Sequence, residues 1–593
     1  AILEDLGPGA RAALHRQAAD LLTDPAAVAA HLASTEPGGD AWVAERIHEA
    51  GGAAAGAGDH GAAIGLLARA LAEPPAPESR GAVLFDLGAA EARLPGHTTA
   101  VEHLREALAL IEPGPARLLP ALELSYAMVF AGDAAGGHAV LTDVLDSLPA
   151  ELAELALLVQ AASMHASFGS QEIRRRVTAD GWRFTGAEDR PPSGAGDRAW
   201  LAVRSVQECL DGTATEATRL AIAAMDGGRL LAELTSDSPV WQLAGNALWW
   251  ADAFEDATAA WTEALEDARR RGSRRAYGVA SSAMASVTFR RGRVDQALDH
   301  AAQALDAVAD DPMALWAPLA VALSVEARVA RGELAEAEAL LEGPHMASAG
   351  DSVILDLLLH SIALLRIAQG RPDDGLARLE ECGRRQEGWG VGNPGMVPWR
   401  TTAVRALLTL GRTEEAAALA AEELAQAQAW GPARTLGMAQ RSVALTLPGA
   451  EGVDGLRLSE ETLAASGAAL EHATTLVELG AALRRLGHRA DARAPLRDGL
   501  ALAREGRAHA LADLAHAELE ACGAAQRRLT RAGAEALTPS ERRIAVMASD
   551  GMANREIAAA LFVTVRTVEA HLGHAYAKLG ISGRADLARA LAG

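Results

Sequence analysis

The sequence has one lysine, Lys578, among 55 basic residues. It has three cysteines, three tyrosines and seven phenylalanines, and aromatics make up 4% of the chain. Each scarcity excludes something. Cys209, Cys382 and Cys522 are isolated, with no CxxC pair. That excludes a disulfide framework and a cysteine-built zinc site, and it fits a reducing compartment, the cytoplasm. Runs of β-branched and aromatic residues, the material of strands, are scarce. No stretch reaches the roughly 18 uninterrupted apolar residues of a membrane helix; the longest, residues 313–325, is shorter and contains Pro318. The first residues lack a basic start followed by an apolar core, so no export signal is visible there. With Lys578 as the one lysine, GxxxxGK[ST] cannot be written anywhere in the chain, which excludes a standard phosphate-binding P-loop. The chain opens on Ala rather than Met, which points to a piece of something longer.

What is present is length and alanine. The 593 residues correspond to about four domains' worth of material, and half of them are apolar. Alanine, the best helix former, supplies much of that half, so the chain is expected to be all-α. The net charge of −23 argues against a general nucleic-acid coat, but the charge is uneven. Residues 524–593 carry ten basic and six acidic side chains, and the remainder carries −27. A basic end on an acidic body suggests a small nucleic-acid-binding end on a large non-binding body.

The body repeats. RRGRVDQALDHAAQAL, ARGELAEAEALL, AQGRPDDGLARL, TLGRTEEAAALAAEEL and RLGHRADARAPLRDGL share a glycine followed by an amphipathic, alanine-rich run. Their glycines, Gly292, Gly332, Gly370, Gly411 and Gly487, lie 40, 38, 41 and 76 residues apart, the last twice 38. Gly58, Gly96 and Gly132 continue the spacing, and WWADAFEDATAAWTEAL falls in phase with it. A glycine that ends one helix, followed by another amphipathic helix, describes a helical hairpin. A period near 38 residues predicts a tetratricopeptide-like array stacked into a superhelix. Residues 186–198 read as a Pro/Gly-rich seam between two arrays, and 388–399 as a shorter interruption. Gly56, Gly58 and Gly61 spell GxGxxG, but alanine-rich helix surrounds them and no strand precedes them. The tryptophans are expected mainly in the cores between repeats.

The last segment reads differently. Thr538-Pro539-Ser540-Glu541 has the form of a capping box with proline at the first helical position. A helix should run to about Asp550 and end at Gly551. A second should span 554–561, and Thr564 is placed to cap a third. Val565, Val568, Leu572, Ala575 and Leu579, at spacings of 3, 4, 3 and 4, form a buried stripe. The opposite face carries Arg566, Thr567, Ala570, Gly573, His574 and Lys578, with Glu569 beside them. Two short helices and a tight turn, the second with such a face, is helix-turn-helix geometry, and the second helix of that motif enters the major groove.

Leu537-Thr-Pro-x-Glu541, Gly551, Asn554-Arg-Glu-Ile-Ala558, Leu561, Thr564, Thr567-Val568, His571 and Lys578-Leu-Gly-Ile581 resemble the LuxR-type DNA-binding domain over residues 537–593. AAHLASTEPGGDAWV, NPGMVPWR and LEHATTLVELGAALRRLGHRADARAPL resemble the large ATP-binding regulators of that type, the LAL family. The resemblance implies that the chain is the portion of such a regulator that follows its ATPase. Residues 1–50 would resemble the end of that ATPase module, 51–185 and 199–523 would be helical repeats, and 524–536 a linker. It implies a transcriptional regulator without catalytic residues or metal in this chain, and with ATP only if an upstream module supplies the P-loop. Its DNA contacts would come from Thr538, Asn554, Thr564, Arg566, Thr567, Glu569, Ala570, Gly573, His574 and Lys578. Leu579, Ile581 and Leu587 would serve self-association. Promoter DNA, a small-molecule or protein effector on the array, and RNA polymerase are the partners it implies. The family's usual cap on the second helix is replaced by Ala553, with Asn554 placed to substitute; Gly583 stands at the next cap, and Glu569 replaces a common lysine. Two rival readings are a protein-binding scaffold with a vestigial tail and a fragment of an ATP-hydrolysing signalling protein.

Overall fold

The computed structural model describes residues 7–592, apart from 74, 95–98, 113, 182–184, 187, 309–315, 524–536, 538 and 562–564. Among the described residues every regular element is helical. The helix Val294–Asp306 shows the repeat logic. Val294, Ala297, Ala301 and Ala304 are buried at spacings of 3, 4 and 3, and Gln296 and Asp299 between them are exposed. That one stripe packs on the helices Arg274–Arg290 and Ala317–Arg331. Alanine at these positions lets helix axes approach closely at little cost in side-chain entropy. Gly332 closes the helix before it in the left-handed conformation, at φ +79°, which a side chain would strain. Bulk is placed where alanine leaves gaps. Trp241 and Trp261 meet edge to face with centroids 4.8 Å apart, and Trp261 Nε1 donates to Gly245 O at 3.1 Å. Such a pair contributes about 0.5–1.5 kcal/mol beyond the area it buries.

The chain divides into two compact units, Ala1–Glu518 and Leu519–Gly593. Within the first, the array coils until its own turns meet. His60 Nε2 lies 2.8 Å from Arg271 O, 211 positions away. Gln171 Nε2 donates to Arg385 O at 3.0 Å across 214 positions. The Val294 amide donates to Gly506 O at 3.2 Å, 212 positions on. Other backbone contacts between coils, Arg275 N to Arg93 O, Gly392 N to Leu210 O and Val353 N to Phe168 O, span 182, 182 and 185 positions, so one superhelical turn takes between 182 and 214 residues and each coil is hydrogen-bonded to the next. Gly58 sits at such a contact, where an added Cβ would come within 2.9 Å of the Arg271 backbone. This explains its glycine; the GxGxxG spelling lies in helices Ala41–Gly56 and His60–Ala72 and the turn between them.

Buried ion networks tie distant repeats together. Asp237, 3% exposed, accepts from Arg275 and Ser273 and pairs with Arg93. Burial alone would raise this carboxyl, but Arg93 and Arg275 outweigh it and hold it at about 2. Asp252 occupies a turn where other repeats place glycine, at φ +57°. Its carboxylate receives Arg290 and Arg434, both at 3.0 Å. A non-glycine residue in that region carries a strain of about 1–2 kcal/mol, and here the side chain that brings the strain is shared between two buried guanidiniums.

One expectation about organisation is corrected, while the interruption at 388–399 stands between the helices Pro372–Trp389 and Trp399–Thr409. Residues 186–198 are no seam: Glu188 Oε1 accepts from Trp200 Nε1 at 3.1 Å and Arg204 Nε at 3.0 Å, the helix Ala195–Asp211 begins inside the stretch, and both sides lie in one unit. Residues 388–399 fold inward, with Trp389, Asn393, Met396 and Val397 buried and Gly395 O accepting from Arg434 Nη2 at 2.8 Å. The opening segment packs directly on the first repeats, Ile47 and Leu32 sharing a core with Leu67 and Leu87. Gly96 and the 524–536 linker lie outside the described residues.

Candidate nucleic-acid interface

Four helices build the C-terminal unit's site: α1, Pro539–Ser549; α2, Asn554–Leu561; α3, Val565–Leu579; and α4, Leu587–Ala592. The turn between α1 and α2 is set by Gly551 at φ +91°, with the Met552 amide donating back to Met547 O at 3.2 Å. Ala553 has no side chain to cap α2. The missing cap is half replaced from the other direction, because Glu556 accepts from the Ala553 amide at 2.7 Å. Asn554 is used elsewhere: its Oδ1 accepts from Arg584 Nη1 at 3.2 Å. The same guanidinium donates to Ala548 O at 3.0 Å and to Met552 O, so Arg584 closes the C-terminal end of α1, where a cation is favoured. Sequence reading missed Arg584; its 30-residue separation from Asn554 has no local pattern.

The core of the unit is Ile544, Ala545 and Ala548 from α1, Ile557 and Ala558 from α2, and Val568, Leu572 and Ala575 from α3, closed by Leu537 and Leu587. This core fixes the rotation of α3. Arg566, Glu569, Ala570, Gly573, His574 and Ala577 are exposed, at helical spacings of 3, 1, 3, 1 and 3. They form one continuous stripe that the domain's own packing leaves open. A Cβ added at Gly573 would meet nothing within 4 Å, so nothing within the domain requires glycine there. The stripe has one carboxylate, one guanidinium, an imidazole and three small residues, a relief over which another surface can come close.

Several expected residues stand elsewhere. Lys578 does not join the open stripe. Its ammonium pairs with Glu541 on α1, and the two side chains are 19% and 6% exposed. Leu587 is fully buried in the core, with Leu579 and Ile581 packed against it. That corrects Leu587 as a self-association residue, since the domain's own interior already uses it. Val565, expected in the buried stripe, is 39% exposed at the start of α3. Thr538 and Thr564 lie outside the described residues, and Thr567 is described only by its place in α3.

Residues 535–591 match the family of bacterial regulatory proteins of the luxR type. The C-terminal unit is therefore luxR-like over its helical length. The chain is 45% identical over 65 residues to the HTH-type transcriptional regulators Mb0914c of Mycobacterium bovis (strain ATCC BAA-935 / AF2122/97) and Rv0890c of Mycobacterium tuberculosis (strain ATCC 25618 / H37Rv). The alignment covers 11% of this chain and 7% of either relative. Among solved structures, the chain is similar to the Rap protein complexed with competence and sporulation factor, at 12% identity over 69% of this chain and 98% of that one, with TM-score 0.37. It is also similar to the APC/C hetero-tetramer Cut9–Hcn1, at 14% identity over 86% and 93%, with TM-score 0.41. The description of the array rests on its own residues rather than on these loose likenesses. No described helix is long and apolar enough to cross a membrane.

Proposed function

We propose that this chain is a DNA-binding transcriptional regulator of the large LuxR type, acting in the cytoplasm. In this reading the luxR-like domain reads promoter DNA and the helical array receives an effector. The observation that carries it is the open stripe of α3, rotated outward by its core and continuous from Arg566 to Ala577. Arg566 supplies a phosphate contact, and Glu569, Ala570, Gly573 and His574 face base edges. A carboxylate at Glu569 accepts from a cytosine amino group and repels phosphate, so it biases sequence preference more than affinity. Self-association belongs to this reading, through surfaces other than Leu587, and so does contact with RNA polymerase. The chain works here as a binding protein, and any ATP hydrolysis would lie in a module outside it.

Selection of genomic fragments by the chain, beside a Glu569→Ala/His574→Ala variant and at two salt concentrations, tests the reading. One short motif enriched by the parent and lost or altered in the variant is expected. If neither protein enriches a motif, DNA reading by α3 is refuted.

A further inference from the structure

The inner side of the array encloses a cavity of about 120 Å³ that DNA binding does not use. It lies where helices far apart in the chain converge. Phe130 meets Trp316 edge to face at 5.1 Å, and Phe168 meets Trp250 at 5.8 Å. Trp249 stands beside Trp250 at 5.6 Å, so three indoles and two phenyl rings share one small wall.

Among the described residues no Asp, Glu, Lys or Arg lines that wall. His165, its one titratable residue, is held uncharged, because burial lowers its pKa to about 4 against the opposing pull of Gln242. A charged guest would lose its hydration there; three guanidiniums, Arg174, Arg275 and Arg290, lie over the Phe168, Phe130 and Trp249 rings rather than in the lining.

Its hydrogen-bonding character is that of a donor. Trp249 Nε1 donates to Asn246 Oδ1 at 3.0 Å. The indole N–H of Trp250 donates to no protein acceptor, although the residue is only 5% exposed, whereas Trp316 Nε1 is packed against Gly278. A buried donor left without an acceptor is costly. Such a donor beside an aromatic cavity fits a site completed by a guest with an acceptor atom.

A neighbouring cavity of about 400 Å³ shares Leu357 and Met396 with this one but differs in kind. Its arginines are already engaged, Arg290 and Arg434 by Asp252, Arg405 by Glu478 and Arg441 by Glu471. The smaller cavity is the one with an unsatisfied indole donor.

We propose that it binds a small, uncharged, planar molecule bearing a carbonyl or ether oxygen, which accepts from Trp250 while the aromatic wall encloses the ring. That this molecule is the regulator's signal rests on the DNA-binding reading above; the binding itself does not.

Coumarin, a neutral two-ring lactone, is the probe. The full chain is titrated with coumarin, with naphthalene, which lacks an acceptor, and with coumarin-3-carboxylate, which is charged. Heat of binding and tryptophan fluorescence are followed. Saturable one-to-one coumarin binding is expected, with naphthalene and the carboxylate each at least about tenfold weaker. Trp250→Phe should weaken coumarin about tenfold and leave naphthalene unchanged. If Trp250→Phe loses the helical spectrum of the parent, the parent's preference for coumarin over naphthalene decides. No saturable coumarin binding, or coumarin and naphthalene binding alike and indifferent to the folded variant, overturns the proposal. Coumarin binding as expected in a chain that enriches no DNA motif upholds the pocket and sinks only the regulator reading.

Discussion

Lys578 Nζ, the only lysine ammonium of the chain, is held by the carboxylate of Glu541, 37 residues before it. The pair pins the end of α3 to the start of α1. A cation expected to meet phosphate is therefore turned into the domain. Lys578→Met should lower the stability of the C-terminal unit by about 2 kcal/mol, less than a fully buried pair because the lysine keeps some solvent. It should leave the slope of log affinity against log salt unchanged in the folded population. A slope shallower by one phosphate's worth would return Lys578 to the backbone-contact set.

Arg566 has the opposite character, exposed at the first turn of the open stripe. Arg566→Ala should weaken all sequences about equally and reduce the salt slope by about 0.9. Affinity measured at four salt concentrations on one enriched and one scrambled duplex reads both effects.

Gly573→Ala separates folding from recognition. Alanine for glycine inside a helix adds about 0.5–1 kcal/mol of stability, and open space receives the methyl here. A higher melting temperature together with weaker DNA binding is expected. Stabilisation with undiminished binding would remove Gly573 from the contact surface.

Asp252 tests the strained turn. Asp252→Ala leaves Arg290 and Arg434 buried without their carboxylate, a loss of about 3–5 kcal/mol. Asp252→Gly should lose about 1 kcal/mol less, because glycine accepts the left-handed backbone freely. Thermal scans at one fixed rate give the order parent, Gly, Ala; equal Gly and Ala variants would deny the strain.

The Asp237 network predicts a pH dependence. Its carboxyl is held at about 2 in the folded chain, below the ordinary value near 3.9 in an unfolded one. Its contribution is then complete above about pH 4 and lost as pH falls through 2. The melting-temperature gap between parent and Asp237→Asn should be widest at neutral pH and narrow between pH 4 and 2. A gap constant across that range would mean that Asp237 acts by packing alone.

Sequence was most legible where one residue decides one local geometry. Gly551, the apolar spacing of α3, and the repeat glycines Gly292, Gly332, Gly370, Gly411 and Gly487 placed helix ends within a residue or two. It was least legible where partners are distant. Glu541 read as a cap and Lys578 as a phosphate contact because nothing in 37 residues of text couples them. Leu587 looked like a surface leucine on a short last helix, and only the third dimension shows α1 and α3 closing over it. The exposed face of α3 could be read from periodicity; Arg584, which holds the turn beside it, could not. In the array the repeat was visible, but the cavity walled by Phe130 and Trp316 was not, since those residues are 186 positions apart and belong to no shared motif.

The coil that closes on itself has a consequence for how such a chain can change. His60 with Arg271, Gln171 with Arg385 and Val294 with Gly506 each join one coil to the next across a set number of repeats. Adding or deleting one hairpin between partners would shift every later loop out of step with the coil it touches. An open solenoid grows by duplication one unit at a time. This one counts its repeats, and its length would have to evolve outside the closed turn or by whole turns.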